Sequence, residues 1–423
     1  MLSRHSPGWY RLTAAVLAGF VGLGVSAAPA VAAPPPLTEP IPLTSDPVRD
    51  DQWQLQELDM ANAWTYADGT GITVAVIDSG VDATHSDLRG QVLTGLDLVD
   101  AKGSGDTDAV GHGTTVSAII AGRNDDTLGV VGIAPKAKIL PIRVLDAENR
   151  YNDAIVVAKG VRWAVDNGAR VINLSLGGSG SSPALAAALD YAFAKDVVVV
   201  ACTGNESAST TDQVWYPARE PGVIAVAGME RNSDVLWSGS ITGPETVLTA
   251  PATQLVGAQP GGYWKVQGTS FAAPMVSGTA ALIRSRWPTM PAGEVINRII
   301  RTAKDLGTPG RDGVFGYGLV NPVGALTADV PAIFENPLDN APSPGVAMFG
   351  SAPVSGQAQS APESTTTTGL PQRDVEAESG GGAAPTAMAV NESSHRGWWA
   401  AGALFLISAM AALLTFRRFA HTT

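Results

Sequence analysis

Ile72-Thr-Val-Ala-Val-Ile77, followed at once by Asp78-Ser-Gly-Val81, is a short apolar run that ends on a carboxylate. Such a run fits a strand buried on both faces, the environment that a parallel sheet provides. The pattern recurs at Ala137-Lys-Ile-Leu140, Val171-Ile-Asn-Leu174, Val197-Val-Val-Val200 and Val223-Ile-Ala-Val226. Amphipathic stretches separate the runs. Asp153 to Gly168 places Ala154, Val157, Val161 and Val165 on one side and ends in Asn-Gly, a helix stop. Pro183 to Lys195 opens with a proline suited to the first helical turn. Strand alternating with helix predicts a three-layer α/β domain over residues 52–328, with a mostly parallel central sheet.

Outside that domain the composition changes. Arg4 and Arg11 flank the start of an apolar and small-residue run, Leu12 to Val25, and Ala28-Pro-Ala30-Val-Ala32 offers cleavage sites, so residues 1–33 are read as an export signal. Residues 34–51 are rich in proline and polar residues and read as an extended arm. Residues 329–396, dominated by Pro, Ser, Ala, Gly and Thr, read as a flexible linker. Trp398 to Phe416 then runs for 19 residues without a charge, long enough for one C-terminal transmembrane helix, drawn at 397–416. Arg417-Arg418 behind it predict a cytoplasmic tail, 417–423, and place the large domain outside the cell membrane. The span would contact membrane lipid. A net charge of −12 disfavours nucleic acid as a partner, and a single cysteine, Cys202, excludes an internal disulfide.

The chemistry-bearing residues are few. Asp78 stands at the carboxyl end of a strand, where α/β sheets gather functional groups, although a helix cap is the plainer reading. Of the two histidines in the domain, His85 lies in a polar loop. His112 stands in Gly111-His-Gly-Thr114, where flanking glycines allow close backbone approach. Ser270, in Gly268-Thr-Ser-Phe-Ala-Ala-Pro-Met275, precedes a long apolar helix. A serine there is commonly a cap, but the helix dipole also favours negative charge at that point. Asn205, in Thr203-Gly-Asn-Glu206, is either a turn residue or an amide donor to an oxyanion.

Taken together, these motifs resemble the subtilase signatures, in the order Asp, His, Asn, Ser, from about Trp53 to about Leu326. The resemblance implies a serine endopeptidase of subtilisin-like fold acting on polypeptide substrates. Ser270 would be the nucleophile, His112 the base and Asp78 its orienting acid. Asn205 with the Ser270 N–H would form the oxyanion hole, and Ser175-Leu176-Gly177 would pair with substrate backbone. Tyr216-Pro217 resembles a pair that borders the floor of the pocket for the side chain before the cut. Trp215 then takes the floor position, unless its ring points outward. The arrangement of signal, short arm, domain, proline-rich linker and span resembles more narrowly the mycosins, which implies a type VII secretion membrane complex as partner. One cysteine is a departure from that group. Mycosins also imply an alternative, a subunit that braces the complex with proteolysis secondary. A secreted degradative subtilisin is disfavoured by the span. No cofactor is predicted and no metal ligand is assigned. Asn124-Asp-Asp126 and Asp87 fall where some subtilases hold structural calcium, and a charged surface loop is the preferred reading.

Overall fold

The computed structural model describes residues 46–209 and 211–339, together with the backbone of a two-residue strand at Gly382–Ala383. The expected signal (1–33), the arm before residue 46, nearly all of the linker beyond 339, the span (397–416) and the tail lie outside the described residues. Among the described residues no helix is long and apolar enough to cross a membrane.

The strands are β1 Thr73–Asp78, β2 Leu96–Asp97, β3 Lys138–Arg143, β4 Arg150–Tyr151, β5 Val171–Leu174, β6 Val198–Cys202, β7 Ile224–Met229, β8 Leu248–Pro251, β9 Leu255–Gln259, β10 Gly262–Val266 and β11 Gly382–Ala383. The helices are α1 Pro47–Asp50, α2 Trp53–Glu57, α3 Met60–Ala63, α4 His112–Ala121, α5 Ala154–Asp166, α6 Pro183–Ala194, α7 Thr269–Arg286, α8 Ala292–Arg301 and α9 Pro322–Thr327. Seven strands form one sheet in the order β2-β3-β1-β5-β6-β7-β8, and each pairing is parallel. The apolar runs are buried in it as their composition requires: Ala75, Ile77, Ile172, Val199 and Ala225 have no exposure. Helices α5 and α6 pack together on β1, β3 and β6, while α4 and α7 pack together on the sheet's other helical layer.

Local chemistry sets the helix ends. Asp153 caps α5 by accepting from the Ile155 N–H at 2.8 Å, and the chain leaves the helix through Asn167 and Gly168, whose φ is +82°. Ser182 caps α6 ahead of Pro183. An antiparallel hairpin, β9–β10, has no counterpart among the predicted elements. It lies against α4, where Thr115 Oγ1 donates to the Ala258 carbonyl at 2.6 Å and accepts from Trp264 Nε1 at 2.7 Å.

The sheet's strand order reverses between β1 and β5. From β1 the chain goes to the edge strand β2 and returns to β3 beside β1 on one side, then builds outward from β5 through β8 on the other. Ligand crevices of α/β sheets open at such a point, outside the carboxyl ends of the strands. Asp78 is the last residue of β1, Ser175 follows β5 directly, and Asn205 follows β6 by three residues.

Two boundaries differ from expectation. Pro47–Asp50 is one helical turn rather than extended chain, because the Asp46 carboxylate caps it through the Val48 N–H at 3.1 Å and proline opens it. Beyond Ala328, residues 329–339 dock on the domain: Asn297 Nδ2 donates to the Pro331 carbonyl, and Asn336 Nδ2 to that of Gly222.

The arm is held by backbone mimicry and by one cation. Gln52 accepts from the Val131 N–H at 2.8 Å and donates to the Val131 carbonyl at 3.0 Å, as a neighbouring strand would. The Arg49 guanidinium donates to the carbonyls of Gly129 at 2.7 Å, Asp126 at 3.3 Å and Leu128, with the Asp126 carboxylate 3.6 Å away. Replacing Arg49 by alanine should leave these carbonyls without their donor and lower stability by about 2 kcal/mol, or roughly 5 °C in Tm. Calorimetry of Arg49→Ala checks this, and an unchanged Tm would show that the arm contributes nothing to the fold.

Candidate active site

The Asp78 carboxylate is fully buried. One of its oxygens accepts from the Ser79 N–H at 2.7 Å and lies 2.7 Å from His112 Nδ1. His112 is the first residue of α4, also without exposure. The approach of α4 to β1 depends on Gly113: a Cβ there would stand 2.1 Å from the Gly80 carbonyl oxygen and 3.1 Å from Asp78 Cβ. Burial is the largest influence on the imidazole and acts to lower its pKa. The charge and hydrogen bond of Asp78, with the charge of Asp108, outweigh it, so His112 titrates above its usual 6.5.

Asp108 carries weight that its sequence position does not advertise. One of its oxygens accepts from Ser79 Oγ and from the N–H groups of Val110 and Gly111. The other accepts from the N–H and hydroxyl of Thr114. Ser79 Oγ in turn accepts from the Gly113 N–H at 3.0 Å. The network clamps the turn that presents His112. An aspartate four residues before the histidine was the available signal.

Ser270 is the second residue of α7, and it too is fully buried. Its hydroxyl donates to the Ser175 carbonyl at 3.2 Å, with Cys202 Sγ at 3.9 Å. In this rotamer it is not bonded to His112, whose Nε2 is buried without a hydrogen-bond partner. A bond between them requires the hydroxyl to leave the Ser175 carbonyl, as a change of χ1 rotamer allows. Burial, the dominant influence, pushes the Cys202 thiol up to about 12, so it is a neutral neighbour of the hydroxyl. Pro274, inside α7, has no N–H for the Ser270 carbonyl four residues earlier. That carbonyl accepts instead from Ser175 Oγ at 2.6 Å, and Ser175 Oγ accepts from Asn173 Nδ2 at 2.9 Å. The start of α7 is thereby tied to the end of β5.

The Asn205 amide is oriented by Thr269. Its Oδ1 accepts from the Thr269 N–H at 3.1 Å and from the Thr269 hydroxyl at 2.9 Å. Its donor end, Nδ2, therefore faces the Gly268 turn at the head of α7, 3.3 Å from where a Cβ on Gly268 would stand. Ser175 and Leu176 are fully buried, and the next residues, Gly177 and Gly178, run beside Tyr216, which exchanges both backbone hydrogen bonds with Gly178. Trp215 points inward at 3% exposure and donates from Nε1 to Ser209 Oγ at 3.0 Å. Its ring occupies the space between two glycines. A Cβ on Gly204 would lie 2.6 Å from the ring, and one on Gly177 3.3 Å from it. The predicted site residues are thus brought to one crevice, with Trp215 beneath the segments that carry Asn205 and Gly177.

The oxygens considered for calcium are engaged otherwise. Asp87 accepts from the Val130 N–H and the Tyr263 hydroxyl, Asp125 pairs with Arg123, and Arg49 takes the Asp126, Leu128 and Gly129 carbonyls. Among the described residues no cluster of three or more His, Cys, Asp or Glu could hold a metal. The residues present do not fit a cation.

The subtilase family model matches residues 69–318. The chain belongs to the subtilase family. It is 39% identical over 255 residues to subtilisin DY of Bacillus licheniformis, covering 60% of this chain and 90% of that one. Against subtilisin E of Bacillus subtilis (strain 168) the identity is again 39% over 255 residues, with 65% of the relative covered. Among solved structures it resembles MycP1 from Mycobacterium smegmatis at 30% identity and a TM-score of 0.60, covering 72% of this chain and 91% of that one. It also resembles the MycP3 protease from the type VII (ESX-3) secretion system at 31% identity and a TM-score of 0.58, covering 67% and 90%. Subtilases are serine endopeptidases with an Asp-His-Ser triad, and the subtilase has all three residues in the crevice just described.

A raised folded pKa means that the imidazolium contributes stability present below about 6.5 and lost as pH rises through the folded value. NMR titration of His112 should give a midpoint above 6.5, and Asp78→Asn should lower it, since burial is then opposed by Asp108 alone. An equal or higher midpoint in Asp78→Asn would refute this account of the site's electrostatics.

Proposed function

We propose that this subtilase is a membrane-anchored, mycosin-like serine endopeptidase that cleaves exported proteins outside the cell membrane, in association with a type VII secretion system. The observation that carries the catalytic part is the 2.7 Å bond from His112 to the buried Asp78, in the crevice where Ser270 heads α7. Ser270 Oγ turns from the Ser175 carbonyl to His112 Nε2, gives up its proton there and attacks the substrate carbonyl. The oxyanion receives hydrogen bonds from Asn205 Nδ2 and the Ser270 N–H, at the positive end of the α7 dipole. Asp78 stabilises the imidazolium, which returns the proton to the leaving amine. Water then repeats the sequence on the acyl-enzyme. The base must be neutral to act, so the raised pKa of His112 puts the acid limb of activity above 6.5.

Support for the anchor is the uncharged run Trp398 to Phe416 with Arg417-Arg418 behind it. Support for the secretion partner is the likeness to MycP1 and to the MycP3 protease of a type VII system. The indole of Trp215, set between Gly177 and Gly204, would fill much of the pocket for the side chain before the cut.

Ser270→Ala should lower hydrolysis of a peptide ester by on the order of a thousandfold or more, with an unchanged circular dichroism spectrum. Undiminished turnover by the folded variant would end the assignment. In a peptide library the wild type should favour Ala or Val over Phe or Tyr before the cut by about fivefold to 150-fold, the rate equivalent of about 1–3 kcal/mol of overpacking. Trp215→Gly should gain the aromatic residues, and a wild-type preference for Phe or Tyr would show the pocket to be open.

Topology is tested separately. Protease added to spheroplasts should release the catalytic domain through the 329–396 linker and leave the span in the membrane fraction. A domain that is attacked only after lysis would reverse the orientation.

A further inference from the structure

A protease that acts on polypeptides must let a backbone reach its nucleophile, yet here Asp78, His112, Ser270, Ser175 and Leu176 have no solvent exposure. The described strand of the linker, β11, lies on β4. Among the described residues β4 has no other strand partner, so the two form a sheet of their own. The pairing is antiparallel, Gly382 opposite Tyr151 and Ala383 opposite Arg150.

β4 follows the turn that leaves the Asp78 end of β1. Just before it the chain crosses the end of β1, where the Val144 and Leu145 N–H groups donate to the Asp78 carbonyl. The Asp146 N–H then donates to the Arg150 carbonyl, closing the turn that leads into β4. Tyr151 is buried, with its phenol pushed up to about 12 first by burial and then by its neighbour Cys202, whose sulfur lies 3.9 Å from Ser270 Oγ. The antiparallel register fixes the direction of β11: from Gly382 to Ala383 it runs from Tyr151 towards Arg150 and the Asp78 end of the turn. An exposed strand edge is where an extended peptide adds by main-chain pairing.

Only residues 340–381 separate this strand from the docked end of the domain. Linkage of this kind gives effective concentrations in the millimolar range.

We propose that the linker is a cis-acting competitor at the edge of the cleft: Gly382–Ala383 adds to β4, and an incoming polypeptide that extends along that edge must displace it. The inference rests on the serine endopeptidase reading. It makes the enzyme self-competing, so that engagement of the linker by another component would raise its activity towards substrates.

The test uses the detergent-solubilised full chain with Gly382 and Ala383 both replaced by proline, which removes whichever N–H of β11 donates to β4. On a peptide ester that extends along that edge the double variant should show an apparent KM several-fold below wild type at unchanged kcat. A synthetic peptide of residues 376–390 should restore the higher KM competitively. Hydrogen exchange read by mass spectrometry in a Ser270→Ala background gives a measure independent of turnover. The amide of Tyr151, opposite Gly382, should be protected in the parent and lose protection in the proline variant. Equal KM, or exchange that is the same in both chains, would overturn the proposal. Absence of hydrolysis in wild type and variant, with the exchange difference intact, would count against the enzymatic reading and not against the competitor.

Discussion

A carboxylate with no solvent exposure, at the end of a strand, is the constraint around which this domain is arranged. Burying the Asp78 charge is costly unless hydrogen bonds compensate it. On one oxygen the compensation comes from the Ser79 N–H and from His112 Nδ1, both at 2.7 Å, while the other oxygen is buried without a hydrogen-bond partner. Bringing a helix close enough to supply the imidazole requires a residue without a side chain after the histidine, and Gly113 meets that need. Holding the helix there requires a second buried acid, Asp108, which bridges Ser79 and Thr114. The residues Asp78-Ser79, Asp108 and His112-Gly-Thr114 are therefore one electrostatic unit spread over two elements.

The opposite wall of the crevice is built on a defect. Pro274 removes a hydrogen bond from the first turns of α7, a helix otherwise buried along nearly its whole length. The freed Ser270 carbonyl becomes the acceptor for Ser175, and Ser175 is held by Asn173 within β5. A deeper residue of the same helix, Ser277, donates to Asn173 Oδ1 at 2.8 Å. The helix that carries the hydroxyl is thus registered against the sheet by polar contacts at two levels, where apolar packing alone would allow sliding. At its far end the fully buried Arg284 donates to the backbone and side chain of Asp196, just ahead of β6.

Much of this was legible in the sequence. Val171–Leu174 is a strand with the bounds its apolar run predicts, and α5 begins after Asp153 and stops at Asn-Gly, because burial and capping are local codes. The predicted site residues converge because each lies at a strand end or a helix start. What was not legible depends on distant partners. Pro47–Asp50 reads as extended from its composition, but its turn is supported by Arg49 and Asp46 bonds to a loop some eighty residues away. Asp108 looks like any loop acid, since its partners are fixed only once β1 and α4 meet. The β9–β10 hairpin is short and partly polar, and it is stabilised through Thr115 and Trp264. The direction of the Trp215 ring was a choice between two states, decided by the absence of side chains at Gly177 and Gly204.

The spacing of Asp78, His112, Asn205 and Ser270 along the chain also sets a schedule. Each arrives on a different element, and the last heads a helix that packs against β5, β6, β7 and β8. A chain interrupted anywhere before Arg286 lacks part of that helix, and one that has not yet formed the parallel sheet has no crevice for it to close. Parallel pairings of large sequence separation form late and slowly. An incomplete or unfolded polypeptide is therefore chemically inert. Hydrolytic power is a property of the finished domain alone, so the cell that synthesises it is shielded from its partial products by topology.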